Sequence, residues 1–67
     1  MNTSNRITQR MSELGLSAAD VSRGIGVTPG GVSQWVNGLS APSGKNLILL
    51  STLLKCNPEW ILGNYGK

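Results

Sequence analysis

Histidine is absent, cysteine occurs once and only three side chains are acidic in these 67 residues. Each shortage closes a class of function. With Glu13, Asp20 and Glu59 as the whole carboxylate inventory, the clustered groups that acid–base catalysis, metal ligation and nucleophile activation require are missing. Neither an enzyme nor a cofactor is expected. The single cysteine, Cys56, rules out a disulfide staple within the chain and points to a reducing cytoplasm rather than a secreted scaffold. Its expected place is in a core, as a small apolar side chain. Aromatic residues are few and no period-two alternation of apolar residues occurs, which argues against a sheet. The densest apolar stretch, residues 47–54, is broken by Ser51 and Thr52 and is far too short to span a bilayer. No secretory signal is visible. A membrane partner is not expected, nor is a small-molecule ligand.

What is present is a modest basic excess and dense helix punctuation. Six basic residues against three acidic ones give a net charge of +3, which suits an anionic partner without specifying one. A chain of this size buries only about 60 % of its unfolded surface, so local signals matter. Five short helices are expected, forming an all-α bundle in one domain. The first spans residues 4–14, with Ile7, Met11 and Leu14 on one stripe and Gly15 as its stop. Ser17 opens the second, and Asp20 three residues later makes a capping-box-like pair. Its inner face is Ala18, Val21, Ser22 and Ile25, and it ends near residues 24–25. Thr28 caps the third, with Pro29 at the first helical position and Asn37-Gly38 at the end. Ser43 caps a fourth over 44–55 that turns Leu47, Leu50 and Leu54 inward. Asn57 and Pro58 open a fifth, carrying Trp60, Ile61 and Leu62 and ending at Gly63. Residues 64–67 read as a tail.

The segment AADVSRGIGVTPGGVSQWVN, residues 18–37, joins two short helices through a turn containing glycine. Ser22 lets the helices approach, Gly26 permits the turn, and Val21, Ile25, Val27, Val32 and Trp35 pack between them. That is the pattern of a helix-turn-helix, whose second helix projects and can enter a DNA major groove about 12 Å wide. Gly30 and Gly31 lie inside this second helix, at a cost of roughly 1 kcal/mol each relative to alanine. Two readings stay open for them: close approach of bare backbone to DNA, or mere tolerance.

With SAPSGKNLILLSTLLKCNPEWILGN after it, the segment resembles the Cro and repressor DNA-binding domains of lambdoid phages. The pieces GVT, VSQW, PSGKNL and CNPEWIL carry the resemblance over residues 6–64. It implies a five-helix domain that binds a palindromic double-stranded DNA operator as a homodimer and represses transcription in the cytoplasm of a bacterial host. It further implies base contacts from Thr28, Pro29, Gly30, Ser33 and Gln34, with Gln34 as the best reader through its amide. Phosphate contacts fall on Ser17 and Ala18, on Asn37 and Gly38, and on Ser43, Gly44, Lys45 and Asn46. Pro58 and Ile61 fall where the family dimerises. Arg6, Arg10 and Arg23 are expected as solvated surface cations adding long-range attraction.

Two positions depart from the family pattern. Ala18 stands where relatives usually carry a glutamine that grips the DNA. Met11 and Val36 stand where many relatives pair an arginine with a glutamate, which implies an apolar contact instead. An end soon after the fifth helix fits both a complete Cro-like protein and the first domain of a longer repressor. The competing reading from another class is a protein-interaction module that has kept the fold.

Overall fold

A computed structural model describes residues 3–62, which form α1 (Thr3–Leu14), α2 (Ala18–Ile25), α3 (Pro29–Val36), α4 (Gly44–Leu53) and α5 (Pro58–Ile61). No strand occurs among the described residues. The caps act as their residue types dictate. Ser17 Oγ accepts from the Asp20 amide at 3.1 Å while the Asp20 carboxylate accepts from the Ser17 amide at 3.0 Å, a complete capping box. Thr28 Oγ1 accepts from the Gly31 amide at 3.2 Å, and Asn57 Oδ1 from the Glu59 amide at 2.8 Å. Pro29 and Pro58 each sit in the first turn, where a missing N–H is no loss.

One core unites the elements: Ile7 and Met11 from α1, Val21 and Ile25 from α2, Val32 and Trp35 from α3, Leu50 and Leu54 at α4, and Ile61 from α5. Burying each such side chain contributes about 1.5–3 kcal/mol. α2 packs against both α3 and α4, while α1 closes over α3 and α5. Leu14, Leu47, Val36 and Cys56 line the edge of the core rather than its centre. Met11 and Val36 therefore both serve the apolar interior, and no charge pair stands at those positions.

The fourth helix stops at Leu53, earlier than expected from its apolar run. Leu54 is its C-cap, and Lys55 adopts φ 57, a left-handed conformation usually left to glycine. The Cys56 amide then donates to the Ser51 carbonyl at 3.0 Å and the Lys55 amide to the Thr52 carbonyl at 3.2 Å. This is a Schellman closure with lysine in the glycine position. A side chain there costs roughly 1–2 kcal/mol. Lys55→Gly is therefore expected to raise stability by about 1 kcal/mol, or about 4–8 °C in Tm for a domain this small. A melting temperature that stays put or drops would contradict the strained turn.

Gly63, expected to end α5, and the tail 64–67 lie outside the described residues. α5 ends at Ile61, with Leu62 as its C-cap.

Candidate nucleic-acid interface

Two close approaches set the helix-turn-helix. Ser22 is buried, and its hydroxyl donates to the Ala19 carbonyl at 3.0 Å, so a polar group of α2 is taken into the interior without being left unpaired. Gly26 has φ 77, the left-handed turn that Cβ-bearing residues resist, and its amide and that of Val27 both close on the Ser22 carbonyl. The chain then re-enters helix at Pro29 with α3 lying across α2.

The period of α3 divides its residues sharply. Val32 is wholly buried and Trp35 is 6 % exposed, so that face is committed to the core. Thr28, Pro29, Gly30, Ser33, Gln34 and Asn37 are all exposed. The five residues expected to touch bases thus share one outward surface. A Cβ built on Gly30 would approach only Thr28 Oγ1, at 4.0 Å, and one on Gly31 the same atom at 3.5 Å. Nothing inside the fold requires glycine at either position.

The polar groups of this surface are ordered among themselves. Asn37 Nδ2 donates to Ser33 Oγ at 3.2 Å. Ser40 Oγ donates to Gln34 Oε1 at 3.4 Å, and the Gln34 carbonyl accepts from the Leu39 amide at 2.9 Å. Ser40 escaped the sequence reading. Its only signal is a hydroxyl placed just after the Asn37-Gly38 turn, where the chain doubles back.

The expected phosphate positions differ among themselves. At the start of α2, the Ser17 amide and hydroxyl are already engaged by Asp20, and Arg23 pairs with the same carboxylate. The Ser17 amide bond, then the Ser17 side chain and the Arg23 charge hold the Asp20 carboxyl below its usual range. A carboxyl depressed in the folded state contributes stability above its unfolded pKa and loses it as pH falls through the folded value. NMR titration of Asp20 is therefore expected to give a midpoint below about 3.9. Fraying of the first turn of α2 should accompany it, and a midpoint at the ordinary value would show the capping box to be open in solution. Asn37 and Gly38, at the other end of α3, are exposed. At α4, Ser43 makes no side-chain cap bond, Gly44 takes φ 52 and Lys45 is exposed. The first amides of a helix have no partner within it. Here the Asn46 amide closes on the Ser43 carbonyl at 3.1 Å, which leaves the Gly44 and Lys45 amides at the helix end beside a cation, the combination that favours an anion.

Arg6 and Arg10 are not the solvated cations expected from sequence. Arg6 Nη1 donates to the Trp60 carbonyl at 2.9 Å, and its guanidinium carbon lies 5.0 Å from the Trp60 ring centroid. Arg10 Nε and Nη2 donate to the Leu54 carbonyl at 3.0 and 2.8 Å. Both hold α1 to the α4–α5 end instead of facing outward alone. Ile61 likewise differs from expectation: it is wholly buried in its own core and offers no side-chain surface to a second copy. Pro58 is half-buried and Leu62 is the exposed apolar neighbour. Burial pushes the Cys56 thiol up, opposed by the nearby Arg10 charge, so it stays protonated at neutral pH.

Comparison with known proteins agrees with this geometry: the helix-turn-helix family pattern matches residues 7–61. The chain belongs to the helix-turn-helix family. Its Cro/repressor-type relatives include the HTH-type transcriptional regulator DicA of Escherichia coli, 40 % identical over 57 residues. Repressor protein C2 of Salmonella phage P22 is 35 % identical over 65 residues. These alignments take in 85 % and 92 % of this chain but only 42 % and 30 % of the relatives' lengths. The fold of this helix-turn-helix chain matches the P22 c2 repressor crystallised with a synthetic operator at a TM-score of 0.90 and 31 % identity, covering 96 % of this chain and 97 % of that one. The solution structure of the P22 c2 DNA-binding domain matches at a TM-score of 0.85, also at 31 % identity, over 91 % of this chain and 80 % of that one. No helix among the described residues is long and apolar enough to cross a membrane.

Proposed function

We propose that this helix-turn-helix chain binds operator DNA in the major groove and represses transcription in a bacterial cytoplasm by excluding polymerase. The observation that carries this reading is the division of α3 into a core face, Val32 and Trp35, and an unobstructed polar face running from Thr28 to Asn37. An eight-residue helix is about 12 Å long, enough to lay two turns along the groove floor. Likeness to a repressor crystallised on its operator supports the same docking. Gln34 and Ser33 supply hydrogen-bonding readout, while Thr28, Pro29 and Gly30 let the backbone come close. The fold does not demand Gly30 or Gly31; bare backbone there lets DNA come close, and part of the specificity then rests on DNA shape.

Phosphates are held chiefly at the α4 start by Ser43, Gly44, Lys45 and Asn46, with Ala18, Asn37 and Gly38 flanking. Ser17 acts through its capping of α2, since its polar groups are spoken for. Two copies bind half-sites about 34 Å apart, meeting through Pro58 and the exposed Leu62, with Ile61 supporting the patch from beneath.

Titration against a selected operator tests this. Neutralising about 4–8 phosphates per dimer should give a log-log salt slope of about −4 to −7. Gln34→Ala should cost about 1–3 kcal/mol and relax preference at one or two base pairs. Lys45→Ala should weaken every sequence alike. A salt-insensitive protein would be an interaction module instead, and equal weakening by both variants would undo the division into readers and anchors.

A further inference from the structure

Gln34 does not stand alone on the outer face of α3. Its carbonyl accepts from the Leu39 amide at 2.9 Å and from the Ser40 amide at 3.4 Å, so the turn after α3 folds back onto it. Gly38, with φ 76, makes that reversal possible, and its own amide closes on the Trp35 carbonyl at 3.3 Å. The turn thereby delivers the Ser40 hydroxyl to Gln34 Oε1 at 3.4 Å. A glutamine amide is broad in its last torsion and can turn over to present either its oxygen or its nitrogen.

We propose that Ser40 is a positioning residue that fixes the Gln34 amide for base recognition, an inference that rests on the DNA-reading function above. Holding one lone pair of Oε1 leaves the Nε2 hydrogens and the second Oε1 lone pair for a base. That donor and acceptor, side by side, match N7 and the N6 amino group of adenine. Since a hydroxyl can also accept from Nε2, Ser40 limits the swing of the amide rather than choosing between its two ends, and a freely swinging amide would discriminate less. Ser40 itself touches no base in this account. Its effect lies in which base Gln34 prefers, not in how strongly the protein holds DNA.

Selection from randomised duplexes, followed by titration of the winning and mismatched sequences, tests this with Ser40→Ala, Ser40→Thr, Gln34→Ala and the double variant. Ser40→Ala should reduce discrimination at the base pair affected by Gln34→Ala about three- to tenfold, the scale of one neutral hydrogen bond. Affinity for random duplex and the melting temperature should not move, because Ser40 is exposed. Ser40→Thr should keep the preference, and the double variant should equal Gln34→Ala, since neighbours acting as one unit are not additive. Preserved preference in Ser40→Ala, uniform weakening of all duplexes, or additivity with Gln34→Ala would each overturn the proposal. A wild-type protein that selects no sequence would overturn the DNA-reading function with it, so the two failures are told apart by the wild-type selection.

Discussion

Trp35→Ala is expected to remove a large share of the stability of this domain, the largest loss predicted for any single substitution. Truncating a buried tryptophan costs about 3–5 kcal/mol, because the lost transfer energy is joined by that of the cavity left behind. A 67-residue domain has a total stability of only roughly 3–10 kcal/mol at ordinary per-residue values. Trp35 is 6 % exposed and belongs to the same cluster as Ile7, Val21 and Leu50, so no solvent-facing rearrangement can close the gap cheaply. Far-UV circular dichroism with thermal and urea melts is the measurement. Trp35→Phe should lose much less, as it keeps most of the ring volume. If the alanine variant melted within a few degrees of wild type, Trp35 would not be core. The orientation of α3, and with it the outward set from Thr28 to Gln34, would lose its support.

Arg10→Ala is expected to cost about 2 kcal/mol, the second-largest loss after Trp35→Ala and one that comes from outside the apolar core. Its guanidinium donates twice to the Leu54 carbonyl, at 3.0 and 2.8 Å, and once to Glu13 at 2.6 Å. Hydrogen bonds from a charged donor contribute about 1.5–3 kcal/mol, and the Arg10 side chain is only 24 % exposed, so solvent screens it little. Leu54 is the C-cap of α4, and its carbonyl has no helical partner to accept from. Removing Arg10 leaves that group unsatisfied near the strained Lys55 turn. Arg10→Lys should recover less than half of the loss, because an ammonium cannot fork onto one carbonyl and one carboxylate in the same plane. Glu13→Gln should matter far less, since its carboxylate faces water and surface ion pairs contribute little. Urea melts of the three variants decide the ordering. Equal stability of Arg10→Ala and wild type would return Arg10 to the role of a surface cation, and a drop in DNA affinity without a drop in stability would move it to the DNA face.

Neither effect reads off the local sequence in the same way. Trp35 is legible because the spacing of Val32, Trp35 and Val36 at helical period leaves one side for the core, and the Thr28-Pro29 start phases that period. Arg10 is not legible, because its partner lies 44 positions away and nothing in the intervening residues announces a carbonyl in need of a donor. The same holds for Arg6, which meets the Trp60 carbonyl 54 positions on. Long polar side chains on an exposed-looking helix face read as solvated until tertiary packing brings an unsatisfied group to them.

What these residues determined unaided was the sequence of starts and stops: Ser17 with Asp20, Thr28 with Pro29, Asn57 with Pro58, and Gly26 between α2 and α3. Capping and turn formation involve neighbours within about four positions, so their energetics are written in short stretches of chain. Packing decided the rest. It ended α4 at Leu53 through a lysine turn, sank Ile61 beyond the reach of a second copy, turned two arginines inward and folded Ser40 back onto Gln34. Those outcomes depend on which surfaces meet across the whole bundle, and interactions between distant segments carry no local signature.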